Sequence, residues 1–188
     1  MRIFVDTADP NEIEEWDKHP WVSGFTTNPT LVRAAGSDVA DLAKRTEKCI
    51  SIDGGPEVWE LGEHVWRKIV ALADLPIVHE KVNHTAICTP AQVASSGRYV
   101  RRDIISVFAG RIMDTGRDPQ PVIDTAKQTG AQVLWASVRE PYNITQAEQA
   151  GCAIVTVPPT ILRKWLDWNG KPLEVVAQET IAQFEADR

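Results

Sequence analysis

Short apolar runs alternate with amphipathic, helix-like stretches along most of the chain. Seven of the apolar runs have the length and composition of β-strands, and each is followed by a segment with helical spacing. The predicted strands cover residues 3–6, 22–27, 49–53, 76–88, 104–109, 133–137 and 152–157. This rhythm predicts an α/β fold built on a parallel sheet.

Polar residues cluster where the predicted strands end, namely at Asp6, Thr26, Thr27, Asn28, Asp53, Thr85, Arg111, Ser137 and Arg139. A TIM-type (β/α)8 barrel keeps its active site at the carboxyl ends of its strands. We therefore expect residues 1–188 to form one barrel domain, with closing helices within residues 161–188. Such a barrel has eight strands, whereas the pattern shows seven.

Residues 60–73 carry an apolar stripe at helical spacing, formed by Leu61, Val65, Ile69 and Leu72. This spacing predicts a helix over the whole segment. Lys68 falls within it and is therefore expected on a helix.

The stretch KVNHTAICT at residues 81–89 places a lysine, an asparagine and a threonine at alternate positions. Side chains alternate along a strand, so Lys81, Asn83 and Thr85 are expected to face one side. A primary amine beside two hydrogen-bonding groups suits Schiff-base chemistry on a carbonyl substrate. The competing interpretation of Lys81 is a solvated side chain at the opposite end of the barrel.

Composition and residue spacing argue against several classes of partner and cofactor. The net charge is −6 and 24% of residues are charged, which argues against nucleic acid or a membrane surface as the main partner. The four histidines lack metal-ligand spacing and no glycine-rich nucleotide motif occurs, so we expect neither a metal nor a nucleotide cofactor. Three cysteines in apolar contexts predict buried, reduced thiols and a cytoplasmic location.

Several candidate residues have two interpretations at this stage. Asp6 is either a helix cap or a buried proton shuttle. Arg111, Ser137 and Arg139 form either a phosphate-binding fork or part of a surface network of ion pairs. The tryptophan-bearing closing helices favour packing between copies of the chain, so we expect a homo-oligomer.

Five segments together carry a family resemblance: IFVDTAD at 3–9, VSGFTTNPTLV at 22–32, VNHTAICTPAQV at 82–93, SVFAGRIMDTGRDP at 106–119 and WASVREPYNITQAEQAGCAIVTVP at 135–158. In this order they resemble the small transaldolases and fructose-6-phosphate aldolases. The resemblance implies a (β/α)8 barrel and a lysine Schiff base, with no cofactor or metal. It also implies sugar phosphate substrates, from which a dihydroxyacetone unit is transferred or cleaved.

The resemblance also implies roles for single residues. The family's proton-shuttle aspartate falls on Asp6, and the asparagine that holds substrate hydroxyls falls on Asn28, with Thr26 beside it. Asn83 and Thr85 match the fifth-strand pair, whose threonine positions the catalytic water.

The phosphate contacts of the family fall on Arg111, Ser137 and Arg139, and Ser106 lines the same pocket. The acid of the third strand falls on either Asp53 or Glu57.

The family's Schiff-base lysine lies on the fourth strand in a VKIP-like pattern, which this sequence lacks. About one βα unit is therefore expected to be missing, and Lys81 is the lysine that leads into the fifth strand. Three alternatives follow: a decayed protein without the nucleophile, a variant that uses Lys81, or a sugar-phosphate-binding relative without turnover.

Overall fold

The strands of the protein close into a parallel barrel in which neighbours in sequence are neighbours in space. The computed structural model describes residues 1–53, 61–70, 81–95 and 99–188. Within them the strands are β1 (Arg2–Asp6), β2 (Val22–Thr26), β3 (Cys49–Ile52), β4 (Val65–Val70), β5 (Val82–Ile87), β6 (Ile104–Val107), β7 (Gln132–Trp135) and β8 (Ile154–Val157). β1 pairs with both β2 and β8, which closes the eight-stranded barrel. The predicted (β/α)8 barrel is thus confirmed.

Helices connect the strands on the outside of the barrel. The described helices are α1 (Pro10–Asp17), α2 (Pro29–Ala35), α3 (Val39–Lys44), α4 (Pro90–Ser95), α5 (Ala109–Asp114), α6 (Gln120–Gln128), α7 (Tyr142–Gln149), α8 (Pro159–Trp168) and α9 (Leu173–Ala186). The first helices start at side-chain caps: Asp9 accepts from the Asn11 amide at 2.8 Å, and Asn28 accepts from the Leu31 amide at 3.0 Å. No helix among the described residues is long and apolar enough to cross a membrane.

Side chains along each strand point alternately outward, to the helices, and inward, to the interior of the barrel. Outward-facing strand residues such as Val5, Phe25 and Ile50 are fully buried against the helices. Inside the barrel a separate apolar cluster contains Phe4, Ile104, Leu134, Ala136 and Ile154. Polar residues follow this cluster two positions further along several strands, so the interior becomes polar toward the carboxyl ends.

Close packing inside the barrel explains why Gly24 lies in the middle of β2. A Cβ atom there would lie 2.4 Å from the carbonyl oxygen of Cys49 and 2.9 Å from the ring of Phe4. Only glycine leaves room for the Phe4 ring and for the approach of β3.

The helix predicted over residues 60–73 is wrong in the described part of that segment. Residues 65–70 form β4, which pairs with β3 on one side and with β5 on the other. The apolar stripe was misleading because positions 61, 65 and 69 are four apart, and this spacing falls on one face of a helix and of a strand alike. The strand conformation is favoured because β4 then hydrogen-bonds to both β3 and β5, whereas a helix would leave the edges of these two strands unpaired.

The count of seven strands is wrong for the same reason, since β4 supplies the eighth. The strand predicted over 76–88 is β5, which begins at Val82; residues 76–80 lie outside the described part of the chain.

Candidate active site

A first group of polar side chains joins β1, β2 and β8 inside the barrel. The hydroxyl of Thr26 donates to the Asp6 carboxylate at 2.6 Å and lies 2.6 Å from the hydroxyl of Thr156. Thr26 and Thr156 are buried. Burial raises the pKa of Asp6 above its ordinary value, while the Thr26 hydrogen bond and the charge of Lys68 act against that rise. Asp6 is therefore a carboxyl group whose proton affinity is increased by its surroundings.

A second hydrogen-bonded group joins β3, β5 and β6. The Asn83 amide nitrogen donates to the Ser51 hydroxyl at 2.8 Å, and the Ser106 hydroxyl donates to the Asn83 carbonyl oxygen at 2.7 Å. All three residues are buried. Because both ends of the Asn83 amide are bonded, its orientation is fixed.

Lys68 lies on β4, between the strands β3 and β5 of the second group. Its Cα is paired with that of Asn83 on β5, and its ammonium donates a hydrogen bond to the carbonyl oxygen of Thr27. Burial lowers the pKa of Lys68 below its ordinary value, and the carboxylates of Asp6 and Asp53 act in the opposite direction. Lys68 is thus an amine in the barrel interior that loses its proton more easily than a solvated lysine.

Thr85 adds a hydroxyl that the described part of the protein leaves unsatisfied. Its Oγ1 atom is buried and has no hydrogen-bond partner within the described structure. A buried hydroxyl without a partner is uncommon, because the lost hydrogen bond costs free energy. Thr85 therefore has a hydrogen bond to offer to a molecule that enters the barrel.

Lys81 lies away from this site. It precedes the first residue of β5, and its amine contacts the Glu63 carboxylate at 2.8 Å and the ring of Trp66 at 5.0 Å. Glu63 precedes β4 and Trp66 is near its start, so these contacts lie at the amino end of the barrel. The structure does not bring Lys81 together with Asp6, and the lysine that it places in the interior is Lys68.

The residues predicted to bind phosphate lie around the ends of β6 and β7. Ser137 has a φ angle of +65°, and a Cβ atom on Gly110 would lie 1.6 Å from the Ser137 carbonyl oxygen. This contact packs the start of α5 directly against the loop after β7. Arg111 is exposed over the ring of Phe108, with 5.4 Å from the guanidinium carbon to the ring centre.

Arg139 follows Ser137 in that loop and pairs with Asp114 at 2.7 Å, with both side chains about half exposed. Its backbone amide donates to the Asn143 side chain at 2.8 Å, so α7 holds the loop in place. The surface ion pair expected as an alternative for Arg139 is therefore present. It leaves the guanidinium at the carboxyl end of the barrel.

The remaining predicted residues are Asn28 and the two candidates for the third-strand acid. The Asn28 side-chain oxygen caps α2, so that atom is already engaged. Asp53 directly follows β3 and is exposed, yet its charge acts on Lys68. Glu57, the other candidate for the third-strand acid, lies outside the described residues.

The three cysteines are free thiols, and Cys152 is buried as expected, whereas Cys49 and Cys88 are only partly buried, so the expectation of buried thiols is wrong for these two. Burial raises the pKa of Cys49 and of Cys152 to about 12, so these thiols stay protonated at neutral pH. Across the described ranges, His, Cys, Asp and Glu side chains do not gather in a group of three or more that could hold a metal ion.

Comparison with known proteins decides the family. The sequence profile described as "Transaldolase/Fructose-6-phosphate aldolase" matches residues 64–188. The chain belongs to the transaldolase/fructose-6-phosphate aldolase family. The resemblance noted from the sequence motifs is confirmed, and the matched region includes Lys68, Asn83 and Thr85.

Individual relatives agree with this assignment. A "Probable transaldolase" of Dehalococcoides mccartyi is 31% identical over 216 residues, covering 100% of this chain and 97% of that protein. Proteins with the same description from Shouchella clausii and Bdellovibrio bacteriovorus are 30% and 29% identical. The first of these alignments covers 100% of this chain and 96% of the relative, and the second covers 87% and 88%.

The alignment with the Dehalococcoides mccartyi transaldolase is longer than this chain of 188 residues, so the relative has residues without a counterpart here. The sequence predicted that about one βα unit, including the fourth strand, is missing; the prediction is wrong for that strand, which is present as β4. The described part of this family member nevertheless retains all strands of a closed barrel.

Sequence reasoning missed three polar residues of the barrel interior: Lys68, Ser51 and Thr156. Ser51 and Thr156 each lie between apolar residues in short strands, in the runs CISI and IVTV. A polar residue inside such an apolar run is the signal that would have identified both. For Lys68 the signal was hidden by the helical spacing of its neighbours.

Proposed function

We propose that this protein transfers or cleaves a dihydroxyacetone unit of a sugar phosphate through a Schiff base on Lys68. The observation that carries the proposal is the position of Lys68, an amine with a lowered pKa inside the barrel, beside Asp6 and Asn83. Membership of the transaldolase/fructose-6-phosphate aldolase family supports the same chemistry.

Because burial lowers the pKa of Lys68, more of its amine is in the neutral, nucleophilic form than in a solvated lysine. The Lys68 nitrogen attacks the ketose carbonyl carbon, and loss of water gives an iminium ion. A base removes the proton of the C4 hydroxyl, the C3–C4 bond breaks, and its electron pair moves toward the iminium nitrogen. The aldehyde leaves, and the enamine either attacks a second aldehyde or is protonated on carbon. Both routes give an iminium ion again, which water hydrolyses to release the ketone product and the free Lys68 amine. The first route is transaldolase activity and the second is aldolase activity.

Asp6 is the proposed base for the C4 hydroxyl. Burial raises its pKa, and this makes the Asp6 carboxylate a stronger base than a solvated aspartate. The hydrogen bond from Thr26 holds the carboxylate oxygen in place. Thr26 therefore contributes by orienting Asp6.

The unpaired hydroxyl of Thr85 is the proposed partner of the water that leaves and re-enters during imine chemistry. Asn83, fixed by Ser51 and Ser106, presents its amide next to Lys68 and is the proposed contact for a substrate hydroxyl. The side-chain amide nitrogen of Asn28 is also proposed to contact a substrate hydroxyl, because its oxygen already caps α2.

The proposed phosphate site comprises Arg111, Ser137 and Arg139. The contact between Gly110 and Ser137 brings α5 and the loop after β7 together. The arginine guanidinium binds phosphate through parallel N–H donors. Both arginines are proposed to use these donors at the carboxyl end of the barrel, where a phosphate can reach them from solvent. Phosphate would compete with Asp114 for Arg139.

The assay is the formation of glyceraldehyde 3-phosphate from fructose 6-phosphate, with and without an aldehyde acceptor. We expect Lys68→Met to abolish turnover and Lys81→Met, its matched control, to retain it. Turnover that survives Lys68→Met would refute the assignment.

The turnover assay together with calorimetry distinguishes an enzyme from a protein that only binds sugar phosphates. A sugar-phosphate-binding relative would bind fructose 6-phosphate in calorimetry without turning it over, and Arg139→Ala would remove that binding. The wild-type protein would then be inactive with every acceptor tried.

We also propose that the protein is a homo-oligomer in the cytoplasm. Leu173, Ile181 and Phe184 on α9 are 79%, 58% and 62% exposed, and apolar residues on one helix favour contact with another copy. Free, protonated thiols support a reducing compartment. Light scattering measures the oligomer directly, and a monomer at micromolar concentration would contradict it.

A further inference from the structure

The fifth strand contains an irregularity directly beside the proposed catalytic hydroxyl. β5 pairs with β6 through His84 and Ile105, then shifts register before Ile87 pairs with Val107. Thr85 and Ala86 therefore lie opposite a single residue of β6. This is a β-bulge, and bulges re-aim side chains next to active sites.

The bulge determines which side chains enter the barrel. Asn83 and Thr85 face the interior, and simple alternation would also direct Ile87 inward. Ile87 is instead fully buried in the core between the strands and the helices. The bulge thus lets Thr85 point inward while the next apolar residue packs outward.

Ala86 has the unusual backbone that this bulge requires. Its φ angle is +62°, in the left-handed region that a residue with a Cβ atom rarely adopts. Such a conformation persists only where surrounding contacts hold it. Contacts to the Ala86 backbone therefore decide the position of Thr85.

The side chain of Gln92 supplies those contacts from α4. Its amide nitrogen donates to the Ala86 carbonyl oxygen at 3.2 Å. Its amide oxygen accepts from the backbone amides of Cys88 and Thr89 at 2.8 and 3.0 Å. One side chain therefore ties the bulge to the turn that follows it.

We propose that Gln92 is a positioning residue for the reaction: it holds the β5 bulge and thereby keeps the Thr85 hydroxyl in the barrel interior. This inference rests on the proposed function, because it assigns the benefit to the water that Thr85 binds. The oxygen and the nitrogen of the Gln92 side-chain amide make different hydrogen bonds. The oxygen fixes the turn, and the nitrogen fixes the carbonyl of Ala86.

Two substitutions separate these tasks. Gln92→Ala removes both sets of hydrogen bonds. Gln92→Glu keeps an oxygen for the amides of Cys88 and Thr89 but loses the donor to Ala86. Gln128→Glu, an exposed change of the same kind on α6, is the matched control.

The experiment measures kcat and KM for fructose 6-phosphate together with the melting temperature. We expect both Gln92 variants to lower kcat by up to about 100-fold, the loss that a misplacement of about 1 Å can cause. KM stays near the wild-type value, and only Gln92→Ala lowers the melting temperature. Wild-type kcat in Gln92→Glu overturns the proposal, as does a loss of kcat only where the melting temperature also falls.

Two further measurements keep this outcome separate from failure of the proposed function. Lys68→Met is assayed beside the Gln92 variants, so an inactive wild type is recognised as a failure of the function. In that case a crystal structure of Gln92→Glu decides. A lost positive φ at Ala86 with a displaced Thr85 hydroxyl supports positioning, and an unchanged bulge overturns it.

Discussion

The hydrogen bonds of Thr26 lead to a quantitative prediction for Thr26→Val, which keeps the shape of the side chain but removes its hydroxyl. The change deletes the bond to Asp6 at 2.6 Å and the bond to Thr156 at 2.6 Å. A hydrogen bond to a charged group contributes about 1.5–3 kcal/mol and one between neutral groups about 1 kcal/mol. The free energy of unfolding should therefore fall by about 2.5–4 kcal/mol. Each kcal/mol corresponds to roughly 2–4 °C of melting temperature for a domain of this size.

Thr156→Val is the matched control because it removes only the bond between the two hydroxyls. We expect it to lower the free energy of unfolding by about 1 kcal/mol. It leaves the hydrogen bond from Thr26 to Asp6 in place, so it should not change the pKa of Asp6.

Activity distinguishes the two variants further. The Thr26 hydrogen bond lowers the pKa of Asp6 against the effect of burial, so its loss raises that pKa. Because the proposed base must be ionised, the acid limb of the kcat/KM profile should move to higher pH in Thr26→Val. It should stay in place in Thr156→Val. Coinciding acid limbs for Thr26→Val and the wild type would refute the role given to this hydrogen bond.

Three further predictions concern stability and binding. Asp6→Asn should stabilise the fold at neutral pH, since burial raises the folded-state pKa of Asp6 and disfavours its ionised form; urea unfolding should show that the gain fades as pH falls through this raised pKa and is absent below the ordinary carboxyl pKa of about 3.9. Gly110→Ala should cost about 1–3 kcal/mol in thermal unfolding and raise KM for sugar phosphates, because the new Cβ would overlap the Ser137 carbonyl oxygen. Arg163→Ala, which breaks partly buried hydrogen bonds to Glu12 at 2.9 and 3.1 Å, should cost about 1 kcal/mol, and a much larger loss would show that α8 depends on them.

The barrel could be predicted from the sequence because most of its strands are short apolar runs followed by polar residues. Asp6 and Ser137 end or follow such runs, and this position alone indicated the carboxyl end of a parallel barrel. Both residues lie in that region of the structure. Whether they act on a substrate stays a prediction.

The fourth strand could not be predicted because its local pattern is ambiguous. Val65 and Lys68 belong to a segment in which helical and extended alternatives place similar residues on one face. Pairing with β3 and β5 decides in favour of the strand, and that pairing depends on residues far apart in the sequence. The interior position of Lys68 is thus a consequence of tertiary structure. Lys81 had suitable neighbours in sequence but lies at the amino end of β5.

The most direct test of the central claim is reductive trapping of the Schiff base. The wild-type protein is incubated with fructose 6-phosphate and borohydride, digested, and mapped by mass spectrometry. The account predicts a reduced dihydroxyacetone adduct on Lys68, with no adduct in Lys68→Met and an unchanged adduct in Lys81→Met. An adduct on Lys81, or no adduct on an actively turning-over protein, would contradict it.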